Sequence, residues 1–407
     1  MGCSEPLERL AYIAAFAVSA YASTHERTLK AFDPLLGETY ECCRADLGFR
    51  FLAEKVGRSP STIAFHAESF DSASFDADGG TSRSPSPISL PVVTAVRCFA
   101  GDSDVVGARY SFWGDMEAKV SFTGRSAELK PSGKLHLQLP QTKDHFTWQK
   151  VKSSVHNVIV GDLWIEHSGT MEVRNESTGD SCRLQFGQRD WDAYADRGAA
   201  SAGNEIKGDV VDSNGAAFAA ITGHWHERLE MVPVDVRTPS PAKPSANVCC
   251  RCRSRWTAAA GSQGAARRTL WQVAPPHPHA SMMCNLSRFA MALNSAEPDL
   301  LLAVAPTDSR HRPDQRLLED GEWEAAQREK LRLEEKHRAA QKKRERSRAA
   351  HRPRWFRRGG VASSGKGGKG GKRASAASGE EAWQYDGGYW EARQQGDGFP
   401  SCASPFA

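Results

Sequence analysis

Three charged residues in the last third of the chain have the types and the spacing to bind a ligand that carries several negative charges. Lys330, Glu334 and Arg338 follow one another at intervals of four residues. On a helix such positions drift by only about 40° per step, so all three side chains can point at one ligand. Arginine and lysine donors that converge in this way are what the recognition of phosphate groups requires. The alternative for so charged a segment is a ladder of solvated salt bridges.

Motifs for other kinds of chemistry are weak. Cys249, Cys250 and Cys252 follow His224 and His226, but this arrangement lacks the paired Cys-x-x-Cys spacing of a zinc site. The chain also contains no G-x-S-x-G, no H-E-x-x-H and no Gly-rich phosphate loop. We therefore expect no metal, no cofactor and no enzymatic activity.

The charged trio needs a long helix to carry it. The segment 314–350 is predicted to be one charged helix, with a thin apolar stripe that includes Trp323 and Leu331, and Pro353 stops it. Upstream, alternating apolar and polar residues with short turns between them predict an antiparallel meander or barrel. The clearest strands cover residues 134–139, 157–167, 169–175 and 182–186.

The remaining segments differ in composition. Residues 5–29 are rich in alanine, leucine and aromatic residues and predict an N-terminal helix. Turn-rich, low-complexity insertions interrupt the pattern near 72–106 and 233–268, and a Gly/Ser/Lys linker covers 359–379. The tail that follows, 382–393, holds several Trp and Tyr side chains that are costly to expose, so we expect it to dock onto the β domain.

Charge and composition limit the class of protein to which the chain can belong. The 407 residues include 53 Lys and Arg against 49 Asp and Glu, so the chain is only mildly basic. Its 10 cysteines do not suggest a disulfide framework, and no secretory leader opens the chain, so we expect a cytoplasmic protein with reduced thiols. The most apolar early stretch, residues 10–22, is too short to span a bilayer. Any membrane contact is therefore expected to be peripheral.

Several runs of sequence together resemble the ligand-binding domain of the oxysterol-binding protein family. They occur in the family's order and span nearly the whole chain apart from the two low-complexity insertions. The runs are LAYIAAFAVSAY, FDPLLGETYE, FHAES, FWG, DHFTWQKVKSSVHNVIVGDLWIEHSGTMEVRN, TGDSCRLQF, TDSRHRPDQRLLEDGEWEAAQREKLRLEEKHR, PRWF and a closing W-x-Y-x-G-x-Y-W-E.

The resemblance implies a fold and a function. The expected fold is α+β, an incomplete antiparallel β-barrel around an apolar lipid tunnel, with an N-terminal helix and a C-terminal helical subdomain, in a single domain over 1–407. Members of the family shuttle sterol, phosphatidylserine or phosphatidylinositol 4-phosphate between membranes, including at membrane contact sites. The implied function is lipid binding and transfer by a monomer, with a sterol or glycerophospholipid in the tunnel and peripheral contact with anionic membranes.

The resemblance also gives roles to the charged trio. Lys330 and Arg338 match the cations that face phosphates, and Glu334 matches the carboxylate that accepts inositol hydroxyls. Position within the family motif favours this interpretation over the salt-bridge ladder for these three residues only. The neighbouring basic residues of the helix keep the solvated interpretation, with some attraction to an anionic membrane surface.

A second part of the implied headgroup site precedes the strands. The family usually shows Lys-Pro-x-Asn-Pro before Leu-Gly-Glu, and this chain has Lys30, Asp33, Gly37 and Glu38 at the corresponding positions. Lys30 matches a phosphate contact, and Gly37 suits a close backbone approach. Asp33 departs from the pattern, because an anion replaces an amide donor and should repel a phosphate.

The largest departure lies in the family signature Glu-Gln-Val-Ser-His-His-Pro-Pro. Here residues 54–61 read EKVGRSPS, so that Arg58 and Ser59 replace the two histidines that grip the 4-phosphate. Arg58 keeps a charge but changes reach and shape, whereas Ser59 is a weaker, neutral donor. We hypothesise that Arg58 and Asp33 compensate each other, which would lower the affinity for phosphoinositides. Drift at these positions, or a different ligand, is the alternative.

Two other functions compete with lipid transfer. One is a membrane-associated lipid sensor or scaffold that moves no cargo, and the other is an interaction protein built on the basic helix. The basic run 342–348 attracts polyanions generically. Because no reader fold with stacking aromatic residues accompanies it, we expect no nucleic-acid partner.

Overall fold

The fold is described from a computed structural model of the chain. Lys30, most of the low-complexity insertions and the Gly/Ser/Lys linker after its first residue lie outside the described residues. The described residues are 5–27, 32–70, 109–158, 161–187, 202–234, 266–347, 350–359, 382–395, 399 and 402–406.

The described chain is mostly β, with one N-terminal helix before the long run of strands and most of the other helices after it. The helices are α1 (Pro6–Ala22), α2 (Arg288–Ala292), α3 (Pro298–Ala303), α4 (Pro313–Glu319), α5 (Trp323–Ser347) and α6 (Tyr389–Gln394). The strands are β1 (Thr39–Arg44), β2 (Phe49–Arg58), β3 (Ser61–Ser69), β4 (Ser111–Thr123), β5 (Ser126–Ser132), β6 (Leu135–Leu139), β7 (Asp144–Trp148), β8 (Lys152–His156), β9 (Trp164–Asn175), β10 (Ser181–Phe186), β11 (Glu205–Val211), β12 (Ala217–His224), β13 (Arg228–Pro233), β14 (Arg268–Gln272), β15 (Phe356–Arg358) and β16 (Trp383–Tyr385). Among the described residues, no helix is both long enough and apolar enough to cross a bilayer.

The described residues form two compact units, and the single domain over 1–407 stays a prediction. The first unit contains residues 5–26 and 151–275, and the second contains residues 27–70, 109–150 and 276–406, each only as far as it is described. Both units are discontinuous in sequence because each brings an N-terminal segment together with a distant later one. The candidate site residues that the structure describes all belong to the second unit.

The first unit is an antiparallel meander that packs against α1. Strands β8 to β14 pair in sequential order. The helix buries Leu10 and Ile13 completely, and the Tyr21 hydroxyl accepts a hydrogen bond of 2.9 Å from the Val151 amide. The predicted N-terminal helix is thus confirmed, but it ends at Ala22. At this end the Tyr21 carbonyl accepts from the Thr24 amide at 2.9 Å and from the Thr24 hydroxyl at 2.6 Å.

The second unit is built on a sheet with two different faces. Strands β1 to β4 pair in order, β4 then pairs with both β5 and β6, and β6 pairs with β7, all antiparallel. One face of β2 and β3 buries Leu52, Val56 and Ala64 against the C-terminal tail. The predicted docking of the aromatic tail is confirmed by the burial of Tyr389 and Trp390 in this cluster.

The opposite face of the second unit's sheet carries a row of aromatic rings. The ring centroids of Phe51 and Phe65 lie 5.9 Å apart, those of Phe65 and Phe112 lie 5.1 Å apart, and those of Phe112 and Trp148 lie 5.6 Å apart. Phe51, Phe65 and Phe112 are only partly buried. This face therefore presents a continuous apolar surface across four strands.

The predicted charged helix over 314–350 is two helices, and the single-helix prediction is wrong. Helix α4 ends at Glu319 and α5 begins at Trp323. The break follows from Gly321, which has a φ of 85° and lets the chain turn where other residues would be strained. The predicted apolar stripe is also incomplete, because Trp323 and Leu331 are exposed.

Candidate functional site

A tight loop before β1 forms the base of the candidate site. The Glu38 amide donates to the Leu35 carbonyl at 2.9 Å, and the Gly37 amide donates to the Lys55 carbonyl at 2.9 Å. Gly37 has a φ of 84°, a conformation that favours glycine. A Cβ atom at this position would lie 3.5 Å from the His351 ring. The close neighbour of Gly37 in the structure is therefore an imidazole from beyond α5.

Glu38 is placed inside this loop. Its side chain is buried, and Oε2 accepts hydrogen bonds from the Leu35 amide at 2.7 Å and from Arg312 Nη1 at 2.9 Å. Burial raises the pKa of Glu38 to about 7, while the Arg312 guanidinium and the Leu35 amide act against that rise. These contacts give Glu38 a positioning role in the loop.

Arg312 links the loop to the helices. Its Nη1 also donates to the Asp33 carbonyl at 2.9 Å, and its Nε and Nη2 donate to the Asp314 carboxylate at 3.0 and 2.7 Å. The guanidinium is almost fully buried between two carboxylates. Loop residues 32–38 are thereby fixed against the start of α4, although 274 positions separate Glu38 from Arg312 in the chain.

A second buried arginine holds β1 in the same way. Arg310 Nη1 donates to Asp308 Oδ2 at 3.0 Å, and Arg310 Nη2 donates to the Glu41 carbonyl at 2.7 Å. The Glu41 carboxylate in turn accepts from the Tyr389 hydroxyl at 2.7 Å and from Arg393 Nε at 2.9 Å. β1 and the tail thus share a second buried set of ionic contacts, in addition to the one that holds the loop.

Lys55 brings a cation to the site that sequence reasoning did not single out. Its side chain is almost fully buried on β2, and its Nζ donates to the Ser61 hydroxyl. Burial lowers the pKa of Lys55, and the carboxylates of Asp33 and Glu38 oppose this by favouring the charged amine. The anion at position 33 therefore faces a lysine.

Arg58 and Ser59 lie at the turn between β2 and β3, where both are exposed. The charge of Arg58 is one of several that act on His337 of α5. The hypothesis that Arg58 compensates Asp33 stays a prediction. The charge of Asp33 also acts on Lys55, whose pKa it raises against the effect of burial.

The predicted trio lies on α5, and its first member, Lys330, lies beside the loop. Lys330 Nζ lies 5.4 Å from the centre of the Phe32 ring and 3.8 Å from Glu334 Oε1. Arg338 is exposed, and its Nε donates to the Glu334 carbonyl at 3.4 Å. Part of the salt-bridge ladder is therefore present, but the pair is solvated and weak, so that a ligand can replace it at little cost.

Further cations converge on two histidines that the sequence did not indicate. Burial lowers the pKa of His337, and the charges of Arg344, Lys336, Arg58 and Arg312 lower it further. Burial and Arg344 likewise lower the pKa of His351. Burial, and after it the surrounding positive charge, thus favour the neutral form of both imidazoles. Such a concentration of cations favours an anionic ligand.

Helical periodicity could have indicated from the sequence that Arg344 lies near His337. Arg344 lies seven residues after His337 and therefore on the same side of α5, about 20° away. For Arg312 and Lys55 the available signals were weaker. Arg312 lies two residues after Arg310 in a short polar run. Lys55 lies on a strand face whose preceding alternate positions, 49, 51 and 53, are apolar.

Comparison with known proteins identifies the family to which this fold belongs. The family described as "Oxysterol-binding protein" matches residues 2–84 and 90–394, and the chain therefore belongs to the oxysterol-binding protein family. Rattus norvegicus oxysterol-binding protein-related protein 1 is 33% identical over 404 residues, which cover 95% of this chain and 36% of that protein. The chain thus spans about a third of the length of this relative.

Solved structures confirm the expected fold class. The chain is similar to the Osh1 ORD domain in complex with cholesterol, with a TM-score of 0.70, 26% identity and coverage of 99% of this chain and 79% of the other. It also shares its fold with the Osh3 ORD in complex with PI(4)P from Saccharomyces cerevisiae, with a TM-score of 0.64, 22% identity and coverage of 96% and 80%. Family membership in turn identifies the chain as a lipid-binding domain.

The buried contacts of Arg312 predict a clear stability effect. Replacing it in Arg312→Met leaves Glu38 and Asp314 buried without their cation, and should lower the free energy of unfolding by about 3–5 kcal/mol. Urea titration followed by circular dichroism measures the change. The matched control Arg338→Met removes an exposed arginine and should change stability by less than about 0.5 kcal/mol. Equal stability of the two variants would contradict the positioning role of Arg312.

Proposed function

We propose that this chain binds a lipid and transfers it between membranes, as a cytoplasmic monomer that contacts membranes peripherally. The apolar body of the lipid packs on the aromatic row, and its phosphate-bearing headgroup binds between the loop 32–38, Lys55 and α5. The observation that carries the proposal is that aromatic rings and a buried cation share one face of a single sheet.

Strand geometry explains this shared face. Successive side chains of a strand point to opposite sides, so Phe51 and Lys55 of β2 lie on one side. On β3, Ser61 and Phe65 lie on that same side, as the hydrogen bond from Lys55 to Ser61 shows. The sheet is therefore apolar along its length and cationic at one end, which matches the two ends of an amphipathic lipid.

The cations suit a phosphate monoester at that end. Lys330 and Arg338 come from α5, Arg58 comes from the β2–β3 turn, and Arg344 lies among the half-buried positions of α5. Each can form a charge-assisted hydrogen bond with a phosphate oxygen, and Arg side chains can do so in bidentate fashion. Glu334 would accept hydrogen bonds from hydroxyl groups of the headgroup.

The proposed cargo is a sterol, phosphatidylserine or phosphatidylinositol 4-phosphate. The solved neighbours support the sterol and the phosphatidylinositol 4-phosphate in this range, since the Osh1 domain was crystallised with cholesterol and the Osh3 domain is in complex with PI(4)P. Cations at one end of the aromatic face favour the phosphate-bearing lipids. Transfer between membranes follows from exchange of such a lipid at two surfaces and needs no covalent step.

The α5 trio gives a direct test of headgroup binding. Lys330→Ala and Arg338→Ala should each weaken the binding of dioctanoyl phosphatidylinositol 4-phosphate about tenfold, because each removes a charge-assisted contact. Isothermal titration calorimetry measures the affinity. Arg328→Ala is the matched control, since Arg328 is exposed and lies about 200° around the helix from Lys330. The site assignment fails if Arg328→Ala loses as much affinity as the other two.

The charge balance of Asp33 gives a second test. Lys55→Gln leaves Asp33 facing the headgroup without its cation and should weaken binding of the same ligand about tenfold. Asp33→Asn in the Lys55→Gln background should recover most of that loss, because both charges are then absent. A double-mutant cycle measured by calorimetry reports the coupling. Additive effects of the two substitutions would show that Lys55 does not compensate Asp33.

A further inference from the structure

The hairpin of β4 and β5 exposes two large apolar side chains. Phe122 is 77% exposed and Val120 is 57% exposed, next to a turn in which Gly124 has a φ of 60°. Both residues lie at the C-terminal end of β4, next to the turn, where every residue from 119 to 123 is exposed. Apolar side chains placed together at the tip of a hairpin indicate a contact surface.

Cross-strand register shows that the hairpin has one apolar and one polar side. Val120 lies opposite Leu129, and Phe122 lies opposite Ala127. The neighbouring pairs on the other side are polar, and they are Lys119 with Lys130, Ser121 with Glu128, and Thr123 with Ser126. The ribbon is therefore amphipathic, and its apolar side continues the side of β4 that carries Phe112.

The hairpin projects from the same end of the sheet as the candidate headgroup site. Ala118 of β4 pairs with Ser61, the first residue of β3, immediately after the turn that holds Arg58 and Ser59. The residues of β4 beyond that pair extend past the turn at about 3.3 Å each, or roughly 16 Å in all. The tip with Phe122 thus lies beyond the headgroup cations in the direction of the strand.

Positive charge surrounds the apolar tip. Lys119, Arg125 and Lys130 are exposed on the hairpin. Glu117 and Glu128 lie 3.9 and 3.7 Å from Lys119 and Lys130, respectively, which are weak contacts at such exposed side chains. Arg125 adds a cation at the turn, so the ribbon has an excess of positive charge. An anionic lipid surface complements this combination of an apolar tip and basic flanks.

We propose that residues 119–130 form the element with which the chain docks on anionic membranes. Phe122 and Val120 enter the interfacial layer, while Lys119, Arg125 and Lys130 contact anionic headgroups. The inference rests on the proposed function, because a site that takes a lipid by its headgroup must face the bilayer. Docking at this end orients the headgroup cations toward the membrane surface.

The test is partitioning onto vesicles of phosphatidylcholine with phosphatidylserine, measured by flotation. Val120→Thr/Phe122→Ser should lower the fraction of bound chain about tenfold, because two apolar side chains no longer leave water. Leu302→Ser is the matched control, since Leu302 of α3 is 84% exposed and lies on another element. Thermal unfolding of each variant verifies that it is folded, as expected for substitutions of exposed residues.

The outcomes separate this inference from the proposed function. Binding of soluble dioctanoyl phosphatidylinositol 4-phosphate needs no bilayer and should be the same in the hairpin variant and the wild type. If the wild type does not bind the soluble lipid, the headgroup proposal is wrong. A loss of vesicle binding that is confined to the hairpin variant would still support docking in that case. The docking proposal is overturned if the hairpin variant binds vesicles as the wild type does. It is also overturned if Leu302→Ser loses equal binding, or if the wild type does not bind these vesicles.

Discussion

The buried guanidinium of Arg312 is the contact on which the candidate site depends. It donates hydrogen bonds to the Asp33 carbonyl and to the carboxylates of Glu38 and Asp314 at the same time. A loop with a buried carboxylate would otherwise be unstable, because an isolated charge in the interior is costly. Once this arginine is in place, the loop is fixed against α4, and the short turn at Gly321 then directs α5 along it. The ionic contacts of Arg312 thus bring the loop next to the cations of α5.

A second constraint divides the sheet of this unit between structure and function. Glu54 of β2 is buried on one face, where its carboxylate accepts from the amides of Arg354 and Trp355 at 2.8 and 2.9 Å. Its neighbour Lys55 points to the other face because side chains alternate along a strand. The C-terminal tail can therefore seal one side of the sheet with aromatic residues while the opposite side keeps its partly exposed rings. Alternate residues of the same strand thus pack against the tail on one face and form the proposed ligand surface on the other.

Local patterns predicted the parts of this molecule that local forces determine. The N-terminal helix, most of the antiparallel strands, the docking of the aromatic tail and the family all followed from periodicity or from long matching runs. The predicted strands 157–167 and 169–175 are instead one strand, β9, which begins at Trp164. The position of the break at Gly321 did not, because a single glycine in a charged segment is compatible with a continuous helix. The site was harder, since Lys55, Arg312 and His337 acquire their roles from neighbours that are distant in the sequence. The influence of the Asp33 charge on Lys55 depends on strand facing and on burial, which no residue pattern near position 33 reports.

The central claim is that one phosphate-bearing lipid occupies the chain with its headgroup at the Arg312-anchored site. Native mass spectrometry tests it most directly, on chain incubated with liposomes that contain phosphatidylinositol 4-phosphate and then separated from them. The account predicts a mass increase that corresponds to one molecule of this lipid per chain. A chain that remains free of lipid under these conditions, with its fold intact by circular dichroism, would contradict the account.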